Sequence, residues 1–510
     1  MTSRLLRWSL ALAAIGTATV GFAQDFTFTI LHSNDIHSHV EPTKVRDVEM
    51  GGWARFVGLT SQLKAKAVNP IVLNAGDSFQ GTIYFNVYEG MAEAAFMNLA
   101  GIQAMALGNH EFDKGPAPLG KFLDQVTFPV LAANIDVSAD PNLKGKVKPS
   151  TILNAGGKRI GIVGAITPDT PNISSPGPTV KWLDLVPSLQ KEIDLLTVQG
   201  IQHIVLLSHC GHGDDLRLAT QLRGVDVIVG GHSHTLLGKV NVPGFDRQDG
   251  DYPTLRQSAD NKRVLIVQAW EWAKLIGNLE VTFNAEGEVK SWKGGPVPVL
   301  ADSPIDRNVA ALVAALRKPV ESLISTKTGE TAIELNRGDE NLMGYVVIDS
   351  QVEYLKDKGV VAGFMNPGGV RRNLPAGPIN YGELIEVQPF TNTLVIVELT
   401  GAEVKALLEQ GAGVSRTLIP SAGTSFTLNS KAAEGKRIED LQIAGAPVDL
   451  AKTYKIVVNS FMAGGGDGLV LLRDSTKKTD TGFIDVDALV AYFKANSPVA
   501  PKVVNRVKRI

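Results

Sequence analysis

At 510 residues, with 44% apolar and 20% charged side chains, the chain has an ordinary globular composition and the length for two or more domains. Fifty Lys plus Arg against 52 Asp plus Glu leave a formal net charge of −2, which excludes a general attraction to nucleic-acid polymers or anionic membrane surfaces. A single cysteine, Cys210, excludes an internal disulfide framework, so the fold rests on burial; the thiol reads as a small buried hydrophobe without chemistry.

The chain opens MTSRLLRWSLALAAIGTATVGFAQ, with Arg4 and Arg7 ahead of an apolar stretch from Trp8 to Phe22 and small residues at Gly21 and Ala23. This pattern predicts an export signal over residues 1–23, cleaved near Ala23, and a periplasmic or secreted mature protein. No later segment approaches the roughly 18 uninterrupted apolar residues of a membrane span, so no membrane association is expected after cleavage.

From Phe26 to about Phe283 short apolar runs recur: FTFTIL, PIVLNA, AMAL, PVLAAN, RIGIVGAI, HIVLLS, VDVIVGG and RVLIVQA. Stretches with helical spacing lie between them, such as MAEAAFMNLAGI, so this part reads as a layered α/β domain. PIDRNVAALVAALRKPVESLIS, residues 304–325, has apolar residues at helical intervals and predicts a linker helix. A second α/β unit comes next, with strands at VVAGFM, TLVIVEL and TYKIVVNSF and helices near YVVIDSQVEYL and GAEVKALLEQG.

All nine histidines lie between His32 and His234. Filler residues would be spread over both halves, so this clustering points to a metal or acid/base site in the first domain. Five strand-like runs there end in polar clusters: FTILHSNDIHSH, IVLNAGDSF, AMALGNHEFD, IVLLSHCGHG and VIVGGHSH. Strand ends of an α/β sheet border a common crevice, so clusters remote in sequence can converge. Asp35, His37, Asp77, Asn109, His209, His232 and His234 are too many donors for one tetrahedral site. Two ions sharing Asp77 would each see four protein ligands. Mixed imidazole and carboxylate donors suit zinc, manganese, iron or cobalt, and argue against calcium or magnesium. His39, His203 and His212 read as structural or rim residues, and Glu111 as a structural hydrogen-bonding or solvent-facing residue.

The blocks DIH, GDSF, GNHEFD, SHCG and GGHSH, in this order, resemble the signature of calcineurin-like metallophosphoesterases. The resemblance implies a four-layer α/β/β/α domain over residues 24–300, then the linker helix over 301–326. It implies two divalent ions, zinc, manganese or cobalt. Asp35, His37, Asp77 and His234 would hold one, and Asp77, Asn109, His209 and His232 the other. His110 matches the family's non-ligating histidine beside the phosphoryl group, and Asp113 its carboxylate partner. Such a centre would activate water and stabilise the charge that develops at phosphorus, with His110 assisting at the leaving oxygen.

In the second unit FMNPGGVRRNLPAG, VQPFTNTLVIVELTG and VVNSFMAGGGDG resemble the C-terminal domain of secreted 5′-nucleotidases and periplasmic UDP-sugar hydrolases. This implies an α/β substrate-binding domain over 327–510. Phe390 and Phe461 would stack on the nucleobase and Asp467 would take the ribose hydroxyls. Arg337 and Arg371 would bind the polar end of the substrate, and Asn366 and Asn392 would line the pocket. Aromatic stacking tolerates different bases, since every base has a π face. Ile333 stands where UDP-sugar hydrolases have a further arginine, which points to monophosphates. The loop 414–423 lies where relatives contact the base edge.

The leading expectation is an exported 5′-nucleotidase, monomeric, acting on nucleoside 5′-monophosphates and secondarily on UDP-sugars. The same scaffold also serves 2′,3′-cyclic nucleotide phosphodiesterases, which is the alternative. A thiol hydrolase is disfavoured by the aromatic pair and Asp467, and a non-catalytic binding protein by the intact donor set. With metals in one domain and the base clamp in the other, the site must lie in an interdomain cleft.

Overall fold

A computed structural model describes residues 25–45, 47–337, 341–413, 417–502 and 504–510. The expected export signal, and the start of the loop 414–423, lie outside the described residues.

Two sheets face each other in the N-terminal part. One orders its strands Val289–Pro298, Leu275–Phe283, Phe26–Ser33, Pro70–Asn74, Ala104–Ala106, Val130–Leu131 and Val147–Lys148. The other runs Thr254–Gln257, Arg263–Val267, Val227–Val229, His203–His209, Lys158–Ile166 and Ser150–Ala155. The central pairs of each sheet are parallel; antiparallel strands close both edges of the second sheet and one edge of the first, whose other edge strand, Val147–Lys148, is parallel. Their near-continuous apolar sequences result from burial on both faces. One face of each supplies the inter-sheet core, with Phe28, Ile30, Ile71, Leu73, Ile160, Ile162, Val205, Leu207, Val227 and Leu265. The opposite faces are covered by helices: Trp53–Lys66, Met91–Ala100 and Pro116–Gln125 on the first sheet, Leu185–Val198 and His212–Gln221 on the second. This is the four-layer α/β/β/α arrangement.

The segment 304–325 is two helices, Arg307–Arg317 and Glu321–Ser325, where the periodicity had suggested one. Asp306 caps the first through the backbone N–H groups of Asn308 and Val309. Pro319 helps to end it: a proline has no backbone N–H to continue the i→i−4 ladder, although Lys318 before it still holds helical φ and ψ of −49° and −49°. The first helix is bolted to the N-terminal part: Tyr88 Oη donates to the Leu316 carbonyl at 2.8 Å, and Arg317 pairs with Glu41.

The C-terminal part carries a five-stranded mixed sheet, Ile419–Pro420, Ala362–Met365, Thr453–Asn459, Thr393–Thr400 and Lys478–Ile484, with a smaller four-stranded sheet beside it. Helix Leu342–Tyr354, buried over most of its length, packs on this sheet, and Gly401–Gly413 covers another part of its core. Helix Tyr381–Val387 opens with a capping box between Asn380 and Glu383 and touches Ile83–Tyr88 of the N-terminal part.

Candidate active site

The parallel strands of both N-terminal sheets end on one side, and the turns leaving those ends form the site. Phe26–Ser33 leads to Asp35 and His37, Pro70–Asn74 to Asp77, and Ala104–Ala106 to Asn109 and His110. His203–His209 ends on His209 itself, and Val227–Val229 leads to His232 and His234. The chain must turn sharply to bring these side chains inward. Asp35, His37, Asp77, His232 and His234 all take the left-handed backbone region, with φ of 50°, 50°, 54°, 72° and 49°. Non-glycine residues persist there only where their surroundings over-determine them, at about 1–3 kcal/mol each.

The surroundings are visible. Glu111, 1% exposed, accepts from the backbone N–H groups of Asp77, Ser78, Phe79 and Gly108 at 2.7–3.2 Å, tying two donor-bearing turns together. It is therefore a structural hydrogen-bonding residue and does not face solvent. Asn34 Nδ2 donates to Asp35 Oδ2 at 2.7 Å, and the His232 N–H reaches the same carboxylate. At Gly108 a Cβ would lie 2.2 Å from Asp77 Oδ1, so the closeness of these turns requires glycine.

The donors fall into two sets joined by Asp77. Asp35, His37 and His234 present ligand atoms within 4.8 Å of one another, as do Asp77, His209 and His232 and, between these two sets, His37, Asp77 and His110. His37 Nε2 and His234 Nε2 face each other at 3.1 Å, and His209 Nε2 lies 2.9 Å from Asp77 Oδ2. Three imidazoles are oriented through their other nitrogen: His37 Nδ1 to the Phe79 carbonyl, His209 Nδ1 to the Ala75 carbonyl and His234 Nδ1 to Glu271. That leaves Nε2 pointing inward, as metal-binding histidines are held. Asn109 Oδ1 is buried with no hydrogen-bond partner. Converging nitrogens and an orphaned carbonyl oxygen fit divalent cations.

Electrostatics agree. Burial disfavours every charged form here, but at three histidines carboxylates overrule it. Asp113 and Asp77 raise the pKa of His110, Asp77 lifts His209 to about 10, and Asp35 lifts His234 to about 9. At His232 burial prevails, helped by His209, and the pKa falls to about 3. The carboxylates thus favour a positive charge at His110, His209 and His234, and protons and metal ions compete for such nitrogens.

His110 and Asp113 stand beside both sets on a single 3₁₀ turn. His110 Nδ1 lies 2.6 Å from Asp113 Oδ2, and its Nε2 is 4.0 Å from Asp77 Oδ2. The ring of His110 stacks on Phe390 at 5.7 Å, with Arg371 over the far ring. The two domains therefore meet at this histidine.

The C-terminal wall completes a cleft of about 870 Å³ that is lined by His37, Asp77, Asn109, His110, Asp113, His232 and His234 on one side. On the other stand Arg337, Asn366, Arg371, Phe390, Asn392, Phe461 and Asp467. Asn366 donates to Asp467 at 2.8 Å and accepts from the buried Asn459 at 2.9 Å. Asn392 meets Ser460, next to Phe461, at 3.3 Å. Arg337 donates to the Arg371 carbonyl at 2.8 Å, so the two guanidinium stems share one edge. The Phe461 ring lies so close over Gly466 that a Cβ there would come within 2.4 Å.

Both parts of the chain match known families. The calcineurin-like phosphoesterase family matches residues 28–236, and the 5′-nucleotidase C-terminal domain matches 323–474. A 5′-nucleotidase of Diplobatis ommata is 35% identical over 98% of this chain and 92% of its own. The crystal structure of a 5′-nucleotidase precursor from Thermus thermophilus superposes with a TM-score of 0.91. It is 40% identical over 95% of this chain and 99% of that one. The chain belongs to the 5′-nucleotidase family. A Haemophilus influenzae NAD nucleotidase shares the fold at a TM-score of 0.60, with 27% identity over 96% of this chain and all of its own.

As a 5′-nucleotidase family member the protein is a phosphoric ester hydrolase, and its calcineurin-like domain implies a divalent metal. Among the described residues no helix is long and apolar enough to cross a membrane. Of the remaining histidines, His203 stacks on Phe26 and lies tilted against Phe283 in the core, and His212 starts a helix at the surface. His39 is buried against Trp272 but also lines the cleft. Burial pushes the Cys210 thiol well up, in keeping with an inert core residue.

Sequence reasoning missed Glu271, Ser174 and Asn459. Ser174 donates to Asp113 Oδ1 at 2.7 Å, from a segment that packs on the turn 466–468 of the C-terminal domain. Glu271 comes after the strand Arg263–Val267, a sixth strand end whose EWAK tail carries a carboxylate but none of the five quoted motifs. Asn459 was detectable only as the polar residue closing the run IVVN.

Proposed function

We propose that the protein is an exported 5′-nucleotidase that hydrolyses nucleoside 5′-monophosphates to nucleoside and phosphate. The observation that carries this is one cleft with two Asp77-joined donor sets on one wall and Phe390, Phe461 and Asp467 on the other. Asp35, His37, Asp77 and His234 hold one divalent ion, and Asp77, Asn109, His209 and His232 hold a second. Zinc, manganese or cobalt matches the donor chemistry. Ions bound there supply Lewis acidity and lower the pKa of an attacking water.

The protein's own groups do the rest. Phe461 and Phe390 stack on the base, and Asp467, held by Asn366, takes the ribose hydroxyls. Arg371 and Arg337 draw in the phosphate with planar guanidinium groups, and Asn392 closes the pocket beside Ser460. Asp113 keeps His110 protonated, and that imidazolium gives its proton to the departing ribose oxygen. Ile333 in place of a further arginine favours monophosphates over UDP-sugars. The N-terminal segment 1–23 supports export, and a site completed within one chain supports a monomer.

The test is a panel of AMP, UMP, ATP, UDP-glucose and 2′,3′-cyclic AMP, with released phosphate and nucleotide products both followed, on chelated protein and after adding Zn²⁺, Mn²⁺ or Co²⁺. AMP and UMP should be turned over fastest and only with metal. Faster turnover of the cyclic nucleotide would transfer the assignment to a cyclic phosphodiesterase. An unchanged AMP rate in the chelated protein would refute the metal-dependent mechanism.

A further inference from the structure

The loop 268–274 beside His234, at the edge of the cleft, contains a largely buried chain of charges that the reaction as described does not use. Glu271 Oε2 accepts from His234 Nδ1 at 2.7 Å, and its other oxygen accepts from Lys274 Nζ at 2.7 Å. Lys274 is only 3% exposed. Its ammonium sits 3.9 Å from the centre of the Trp272 ring and 4.2 Å from that of Trp270. Burying an ammonium is costly unless its partners replace water, and here one carboxylate and two π faces do so.

The loop is also strained. Trp270, Trp272 and Ala273 take φ of 59°, 60° and 53°, and none is glycine. Asn34 clamps it, receiving the Ala269 N–H at 2.8 Å and donating to the Trp270 carbonyl at 2.6 Å, while the Trp272 N–H reaches the Asp35 carbonyl at 2.7 Å. The clamp is thus the same segment that carries Asp35. A strained, buried loop fixed to one donor and reaching the back of another is built to hold that donor set.

His37 and His209 are backed differently. Their Nδ1 atoms donate to the neutral carbonyls of Phe79 and Ala75. Of these three imidazoles, His234 is the one backed by an ionised carboxylate, which fixes its tautomer and makes Nε2 a stronger donor.

We propose that Glu271 and Lys274 are positioning residues that set the affinity of the Asp35, His37, Asp77 and His234 site for its ion, leaving the other site untouched. This rests on the two-ion reading above. Lys274 keeps Glu271 ionised and aimed, and Glu271 keeps His234 aimed at the ion.

The full chain is stripped of metal and titrated with Co²⁺ alone, with bound metal read by equilibrium dialysis and visible absorption. The variant is Glu271→Gln with Lys274→Met, which leaves His234 an acceptor and removes both charges together. Wild type should bind two Co²⁺. The double variant should bind one as wild type does and the other about 10- to 100-fold more weakly, with altered absorption bands for that ion. Placed on a His37→Ala background, which already disables the same site, the change should leave the remaining constant unmoved. Unchanged constants for both ions, or equal weakening of both, would overturn the proposal. Fewer than two Co²⁺ on wild type would instead overturn the two-ion reading. Melting temperature checks folding, and if the double variant does not fold, Glu271→Gln alone gives the same two-site comparison.

Discussion

The two walls of the cleft are built by opposite means. On the N-terminal wall five of the seven expected metal donors occupy left-handed backbone, held by Glu111, Asn34 and close glycine turns. On the C-terminal wall, of the seven residues expected to bind substrate, Asp467 alone is left-handed, and the wall presents two rings, two arginines and a chain of amides. Donors to a metal must meet at one point within a few tenths of an ångström, so backbone strain is accepted to place them. A π face recognises a base over a broad area and tolerates displacement, so ordinary backbone suffices.

That contrast can be broken experimentally. Asp77→Ala removes the residue shared by both donor sets, so AMP hydrolysis should fall by at least about 1000-fold, with loss of bound metal. Phosphate release and metal analysis on the same sample check this; retained metal with lost activity would mean that Asp77 acts otherwise.

Phe461→Ala probes the opposite wall. It should lower kcat/KM for AMP by about 10- to 100-fold, as expected for one lost stacking face, and barely affect p-nitrophenyl phosphate, which has no base. Equal losses on both substrates would erase the division between the walls.

Ser174→Ala tests whether the walls communicate, since Ser174 holds Asp113 from a segment packed on the C-terminal domain. A drop in kcat of about 5- to 10-fold is expected for AMP, whose leaving oxygen needs a proton. The loss should be much smaller for p-nitrophenyl phosphate, which departs without one, and Ser174→Thr should restore the rate.

The smallest effect concerns the far end of the N-terminal sheets. Burial pushes the Asp226 carboxyl to about 8, although it accepts from the Ile204 N–H. The folded state therefore favours the protonated acid. Its stability is full below the ordinary value of 3.8 and is lost as pH rises towards 8. Asp226→Asn keeps the acceptor and removes that loss. Thermal melts should show no gain at acid pH and a gain of about 2–4 °C near pH 8, with AMP turnover unchanged.

Much of the molecule was readable before folding. Asp35, Asp77, Asn109, His209 and His234 each come within a few residues of an apolar run, so strand and side chain announce themselves together. The structure brings His37, Asp77, Asn109, His232 and His234 to the lining of one cleft, with Asp35 and His209 buried against them, and all seven expected substrate residues to the same cleft. The segment 304–325 keeps helical apolar spacing across Pro319, so periodicity alone reads it as one helix, yet the first helix ends at Arg317 and a second starts at Glu321. Glu111 had two open roles, since its sequence position does not say that four backbone N–H groups from two turns would converge on it.

The sequence by itself determined the layered α/β architecture, the division into two parts and the order of the site motifs. Those depend on periodicity and on which residue comes after a strand, and both are local. Only the tertiary structure decided the backing of the site: Glu271 behind His234, Ser174 behind Asp113 and Asn459 behind Asn366. These are single polar residues without a motif. Each acquires its role from a hydrogen bond to a chain segment tens of residues away, which exists only once burial has excluded water from both partners.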